Sequence, residues 1–255
     1  MYHNISKLVF LILLCLVPTS IFSQIINVES LRKVTDTTGW HGTTSLNFSL
    51  TRNTNDLFRV GNKTHLQYKI PYHLFLLVSD FSLERSAGQN FVNQGSLHFR
   101  HNVKLSDLMV WESLIQGQYN SIAKINFRGL LGTGPRFKII GHEKHRLYVG
   151  SILLFEYEEI NNAPLLINRD VRGSFYVSIS VYPTERISMV STSYYQPLLR
   201  HWSDHRFATE NSIVIDLIDK LALKTSYTLT FDSHPAEEVN TTFYNLTTGL
   251  IYTFH

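Results

Sequence analysis

Residues 171–182 read VRGSFYVSISVY, with Val171, Phe175, Val177, Ile179 and Val181 on one parity and Arg172, Ser174, Tyr176, Ser178 and Ser180 on the other. Successive side chains of a strand point to opposite faces, so a run with period two reads as a strand with one apolar and one polar face. The pattern recurs in both directions. Residues 40–50 set Trp40, Leu46, Phe48 and Leu50 against His41, Thr43, Ser45, Asn47 and Ser49, and 221–231 set Leu221, Leu223, Tyr227, Leu229 and Phe231 against Lys224, Ser226, Thr228 and Thr230. The last residues, NLTTGLIYTFH (245–255), place Leu246, Leu250, Tyr252 and Phe254 on one face.

Extended to the whole chain, the alternation predicts strands near 38–51, 57–70, 72–84, 91–104, 107–119, 123–139, 145–159, 170–182, 185–197, 206–217, 220–232 and 241–254. Soluble strands average about 5–6 residues, whereas a strand that crosses a bilayer at a tilt needs about 9–11. Length therefore favours an all-β fold, a transmembrane antiparallel barrel of about twelve strands. A soluble β-sandwich would bury the apolar faces in one core, but it explains neither the strand lengths nor the absence of linkers. In the barrel the apolar faces meet lipid, the polar faces line the interior, and closure leaves no unpaired edge.

Barrels of the outer-membrane type have short periplasmic turns and longer external loops, with both termini on the periplasmic side. Counted from an inside start, KIPY, KLSD, GHEKH, PTER and IDK fall on the inner side. RNTND, ERSAGQN, NSIA, EINNAPLLINRD, LLRHWSDHR and DSHPAEEVN fall on the outer side. Most of the long connections are external, and an even strand count returns the last strand inward.

The start of the chain, MYHNISKLVFLILLCLVPTSIFSQ, carries Lys7, an apolar run from Leu8 to Val17, then Pro18 and small residues up to Ser23. That is the pattern of a secretory signal, read as residues 1–23 with cleavage after Ser23. Residues 24–37 alternate poorly and are read as a lead-in to a barrel of residues 38–255. The only cysteine, Cys15, lies in the apolar run behind Leu14, where a lipoprotein site needs a small residue. A mature chain would hold neither disulfide nor thiolate metal site. The formal charge is +3, and its basic residues are scattered among acidic ones, which gives no nucleic-acid footprint.

The stretches GQNFVNQGSLHFRHNVKLSD, VWESLIQGQYN, FRGLLGTGPRFKI and LLFEYEEI carry a resemblance. The chain resembles the uncharacterised outer-membrane barrels grouped as domain of unknown function 481, which include salt-stress-induced outer-membrane proteins. The resemblance implies an outer-membrane location in a Gram-negative bacterium and no established activity. Outer-membrane strands usually stop at an aromatic, whereas here Phe254 is followed by His255. The expected partners are outer-membrane lipid and, through the C-terminal strand, the insertion machinery. A monomer is expected.

Parity places charge inside. Gln94, Ser96, His98, Arg100 and Asn102 point inward, as do Glu112, Gln116 and Gln118, then Asn126, Arg128, Arg136 and Lys138, then Arg146, Tyr148, Glu156 and Glu158. Pairing that sums to about 212 across KLSD would set Arg100 opposite Glu112, and about 286 across GHEKH would set Arg128 opposite Glu158. Since a lone buried ion is costly, Arg100, Glu112, Arg128, Arg136, Glu156 and Glu158 are expected to form one lumenal network. It would serve either as a rigid structural plug or as a narrow constriction for solutes.

Other chemistry fits less well. GLLGTGPRF lacks the Gly-Lys-Ser/Thr of a phosphate loop, so Gly132 and Gly134 are read as interior positions where the wall bends or Tyr148 packs across, with a bulge at Pro135. A lipid acyl hydrolase or acyltransferase is one alternative class, and a surface binding or adhesion barrel another. Ser96 and His98 share a strand face but point away from lipid substrate, so no catalytic residue is assigned. His201, Asp204 and His205 lie in a predicted loop, where His-x-x-x-His lacks ligand geometry, and no metal or cofactor is expected. Trp40, Trp111, Trp202, Tyr194, Tyr195, Tyr244 and Tyr252 suit interfacial girdles.

Overall fold

The computed structural model describes residues 38–52, 56–86 and 89–254. The signal and lead-in read from residues 1–37, and His255, lie outside them. Twelve strands follow in order: β1 (Gly39–Arg52), β2 (Asp56–Ile70), β3 (His73–Ser86), β4 (Gln89–Lys104), β5 (Met109–Asn120), β6 (Ile125–Gly141), β7 (His145–Ile160), β8 (Leu166–Thr184), β9 (Ile187–Leu198), β10 (His201–Ile218), β11 (Leu221–Asp232) and β12 (Thr242–Phe254). Each pairs antiparallel with its neighbours in sequence, and β1 meets β12 to close the barrel. Among the described residues no helix is long and apolar enough to cross a membrane, which says nothing of a barrel that crosses with strands.

The strands outrun the sequence reading. They span 12 to 19 residues, and β8 and β10 begin at Leu166 and His201, inside stretches read as loops. Connections at the end bearing the termini are short, such as Pro71–Tyr72 between β2 and β3. There Pro71 supplies the fixed φ favoured at the first central position of a turn, and Tyr72 takes φ 65° at the second. The longest connection, 233–241, is at the opposite end.

Burial is inverted relative to a soluble protein. Leu97, Ile115, Leu131, Phe155 and Ile179 are exposed on the outer wall, while Arg100, Glu112, Arg136, Glu158 and Arg206 are buried. Outward-facing rings gather at the terminal end: Trp40 lies 4.7 Å from Tyr68, Tyr68 6.5 Å from Phe75, and Phe75 4.6 Å from His101. Tyr194 is not part of a girdle. It is buried in the lumen, with its ring 5.3 Å from Tyr176.

The interior is tight enough to require missing side chains. Gly150 stands opposite Tyr176 in the register, and a Cβ at Gly150 would overlap the tyrosine ring. At Gly134 a Cβ would overlap the backbone at Ser151 and Ile152. The bulge expected at Pro135 is absent. The β6–β7 register keeps the same sum on both sides of it (Thr133↔Leu153, Arg136↔Gly150), while the shifts fall at Ile125/Phe127 and Lys138/Ile140.

Gly150→Val should therefore destabilise the barrel by about 1–3 kcal/mol, the usual cost of overpacking. Gly117→Val should be near neutral, because there a Cβ meets only the Phe127 ring, at 3.6 Å, on the lipid side. Urea unfolding in lipid vesicles, read by the loss of the fast-migrating unboiled band, checks both; equal midpoints would contradict the packing described.

Candidate functional site

The lumen is furnished by the even-numbered residues of β4 to β8; Lys138 and Arg146, read as inward, are only half-buried, whereas the six charged residues expected to form its network are buried. Their register differs in one place. Across the 105–108 turn the pairing is Asn102↔Glu112 and Arg100↔Leu114, so Arg100 sits diagonally from Glu112 rather than opposite it. The slip is by two residues, so every side chain keeps its face. Arg128 does stand opposite Glu158. Asn126 is exposed, because the bulge between Ile125 and Phe127 turns it outward.

On β5, β6 and β7 the interior forms layers. Glu112, Gly134 and Ile152 lie in one, then Leu114, Gly132 and Leu154, then Gln116, Leu130 and Glu156, then Gln118, Arg128 and Glu158. The ion pairs thus gather into two groups with apolar side chains between them, rather than one continuous network. Leu114, Ile152, Leu154, Tyr176 and Tyr194 form the apolar layer, with Leu130 packed against it. Leu154, Ile152 and Leu114 close over Gly132. Tyr148, expected there, instead faces the Arg136 guanidinium at 5.0 Å.

The group nearer the termini centres on Glu112, whose side chain is fully buried. Arg136 Nη1 approaches its Oε1 at 3.1 Å, and Arg100 Nη1 its Oε2 at 3.4 Å. The Tyr176 hydroxyl donates to Oε2 at 2.7 Å.

The other group centres on Arg206, which the sequence reading did not assign. Its Nη1 donates to both oxygens of Glu156 at 2.9 and 2.8 Å, its Nη2 to Glu158 at 3.2 Å, and its Nε to Asp232 at 2.9 Å. Glu158 also accepts from Arg128. Arg172 reaches Glu156 at 3.6 Å and donates to Asp204 at 2.8 Å. Asp204 thus faces an arginine rather than joining His201 and His205 at a metal, and among the described residues no cluster fit for a metal occurs. The signal for Arg206 was present: it shares a parity with Glu210 at the end of a strand whose start was placed five residues late.

The opposite wall is different. Between β1–β3 and β10–β12 lies a cavity of about 180 Å³, lined by hydroxyls, amides and charges. Volume of this kind above about 10–15 Å³ admits water. Lys63 Nζ lies 3.3 Å from Asp80, Lys224 Nζ 3.1 Å from Glu210, and Arg59 Nε 2.7 Å from Glu84. Parity already sets Lys224 on the polar face of 221–231, and the same alternation places Lys63 and Glu210 inside.

Ser96 and His98, the residues considered for acyl chemistry, are buried in the lumen; His98 Nδ1 lies 2.8 Å from Gln116 Oε1. Over the Arg206 group, Pro235, Ala236 and Val239 of the 233–241 connection come against Ala123, Ile125 and Ile160. Lys124 Nζ bridges to Glu238 at 2.7 Å, and its hydrogen bond and charge hold the Glu238 carboxyl below its usual range.

Glu112→Ala leaves two buried guanidiniums without their carboxylate and should cost about 3–5 kcal/mol, whereas Tyr176→Phe should cost about 1.5–3 kcal/mol; equilibrium unfolding in vesicles reads both. For Glu238, a depressed folded pKa means that the bridge contributes above the unfolded value and is lost as pH falls through the folded one. Hydrogen exchange in 233–241 should quicken on acidification in the wild type, and should already be quick and pH-independent in Glu238→Gln after correction for intrinsic exchange.

The fold has solved counterparts. The NanC porin superposes with a TM-score of 0.53 at 6% identity, covering 84% of this chain and 100% of that one. The KdgM porin gives 0.46 at 9%, over 85% and 99%. The translocator domain of the autotransporter NalP from Neisseria meningitidis gives 0.47 at 9%, over 86% and 90%. The likeness to the NanC porin shows the outer-membrane barrel fold. No curated protein matches the chain. A family model described as "Protein of unknown function, DUF481" matches residues 34–254, which takes in all twelve strands, and the chain belongs to that family of uncharacterised outer-membrane barrels.

Proposed function

We propose that the protein provides a narrow path for small polar solutes and ions across the outer membrane of a Gram-negative bacterium, along the wall formed by β1–β3 and β10–β12. The observation that carries this reading is the asymmetry of the lumen. One wall is filled by paired arginines, carboxylates and leucines; the other leaves a polar cavity of about 180 Å³. The two roles read from the sequence therefore divide between the walls. The Glu112 and Arg206 groups hold the barrel rigid, and the cavity conducts.

Charges in the cavity occur as neighbours of opposite sign, Lys63 with Asp80 and Lys224 with Glu210, and Arg59, which also lines it, is paired with Glu84. Pores select by charge when one sign dominates a ring. A balanced lining passes both signs with little preference and suits small uncharged or zwitterionic solutes. In this reading residues 1–23 are removed on export, the C-terminal strand engages the insertion machinery, and the barrel works as a monomer in outer-membrane lipid.

Purified protein in a planar bilayer should give small, discrete, salt-dependent conductance steps. In a salt gradient Lys224→Met, which leaves Glu210 in the cavity, should move the reversal potential toward cation preference; Glu210→Gln should move it the other way. Glu112→Ala, remote from the cavity, should leave it unchanged. A silent bilayer with folded protein, or a reversal potential indifferent to Lys224 and Glu210, would contradict the path.

A further inference from the structure

The barrel closes unevenly. β1 and β2 pair along their whole length, from Gly39↔Lys69 to Arg52↔Asp56, and β11 and β12 from Leu221↔Tyr252 to Phe231↔Thr242. The closing pair runs only from Gly42↔Phe254 to Leu46↔Leu250. Beyond it no β1–β12 strand pairing continues among the described residues, while β1 runs on through Asn47–Arg52 beside β2 and β12 lies through Thr242–Gly249 beside β11. With the termini on the periplasmic side, as is normal for such barrels, this open half of the seam lies in the outer leaflet.

The surroundings place the gap in hydrocarbon outside and in a polar space inside. Leu46 and Phe48 on one edge are each 69% exposed, and Leu246 on the other is 55% exposed, as lipid-facing side chains are. Backbone edges in hydrocarbon need partners, so a stretch without them is either filled or opened in use. Directly behind it, Asn47, Asn245, Thr247 and Gly249 line the polar cavity. Gly249 leaves the room into which the Asn47 carboxamide extends, and a Cβ there would overlap it. Beyond Leu46 and Leu250 the wall between lumen and lipid is two strand edges and one asparagine.

We propose that the open half of the β1–β12 seam is a lateral portal for a single-chain amphiphile, whose zwitterionic head seats in the lumenal cavity and whose acyl tail emerges between Phe48 and Leu246 into the outer leaflet. The head is assigned from charge: Lys63 and Lys224 meet its anion, and Asp80 and Glu210 its cation, whereas a head of one sign would leave half of these groups opposed. The tail is assigned from the apolar flanks of the gap. The proposal rests on the cavity being open to solute, as the proposed path requires.

The test uses a lysophosphocholine bearing a diazirine next to its head and an alkyne on its tail, added to barrels in phosphatidylcholine vesicles. Adducts mapped by mass spectrometry should fall on inward residues of the cavity, Asn245, Thr247 and Ser226. In the double variant Asn47→Cys/Gly249→Cys, oxidation should lower those adducts at least tenfold, and reduction should restore them. Thr43→Cys/Thr253→Cys, bridging the part already paired, should have no effect. Wild-type adducts confined to lipid-facing residues would overturn the portal without any variant, as would labelling unchanged by the Asn47–Gly249 lock. Conductance separates this from the path itself: a locked barrel that still conducts upholds the path, and a silent wild type that still labels its cavity upholds the portal alone.

Discussion

In hydrocarbon a backbone N–H or C=O has no water to turn to, and each one left without a partner costs several kcal/mol. The rest of this structure depends on that constraint. It forces twelve strands into a closed ladder, makes them long, and fixes which parity faces out. Once the apolar set of each strand is committed to lipid, its alternate residues have nowhere to go but the lumen. Arginines, carboxylates and amides are therefore buried here because the fold leaves them no other place.

Their burial then sets a second problem, since an unpaired ion inside the barrel is as unwelcome as an unpaired carbonyl outside it. The chain answers on one wall by matching charges: Arg206 is spread over Glu156, Glu158 and Asp232, and Glu112 is held by Arg100, Arg136 and Tyr176. Between these groups Leu114, Ile152 and Leu154 displace water, helped by glycines that let large neighbours cross. On the other wall smaller residues leave space, and the charges that line it are balanced in pairs. Rigid filling on one side and a cavity on the other are two outcomes of the same inward parity.

The fold was legible in the sequence because alternation survives error. All twelve strands could be placed, and even the mistaken register across the 105–108 turn left the faces unchanged, since a slip of two preserves parity. What escaped notice involved breaks in parity or in its meaning. The bulge beside Asn126 has no local signature. The run Ile152, Leu153, Leu154, Phe155 is apolar on both faces, so an apolar layer inside the lumen could not be told from a lipid face. The extension of β8 and β10 was hidden by Asn, Pro and His residues that usually mark loops. The short pairing of β1 with β12 was beyond reach, because closure depends on the stagger accumulated around the whole barrel.

The central claim is that neighbouring residues of one strand occupy lipid and lumen in turn, and β8 states it most cleanly. Single cysteines at 171–182, each carrying a fluorophore, can be scanned in vesicles with a nitroxide on the acyl chains as quencher. Strong quenching at Val171, Phe175, Val177, Ile179 and Val181, with weak quenching at Ser174, Tyr176, Ser178 and Ser180, is the result this structure requires. Quenching without a two-residue period, or strongest at the serines, would contradict it.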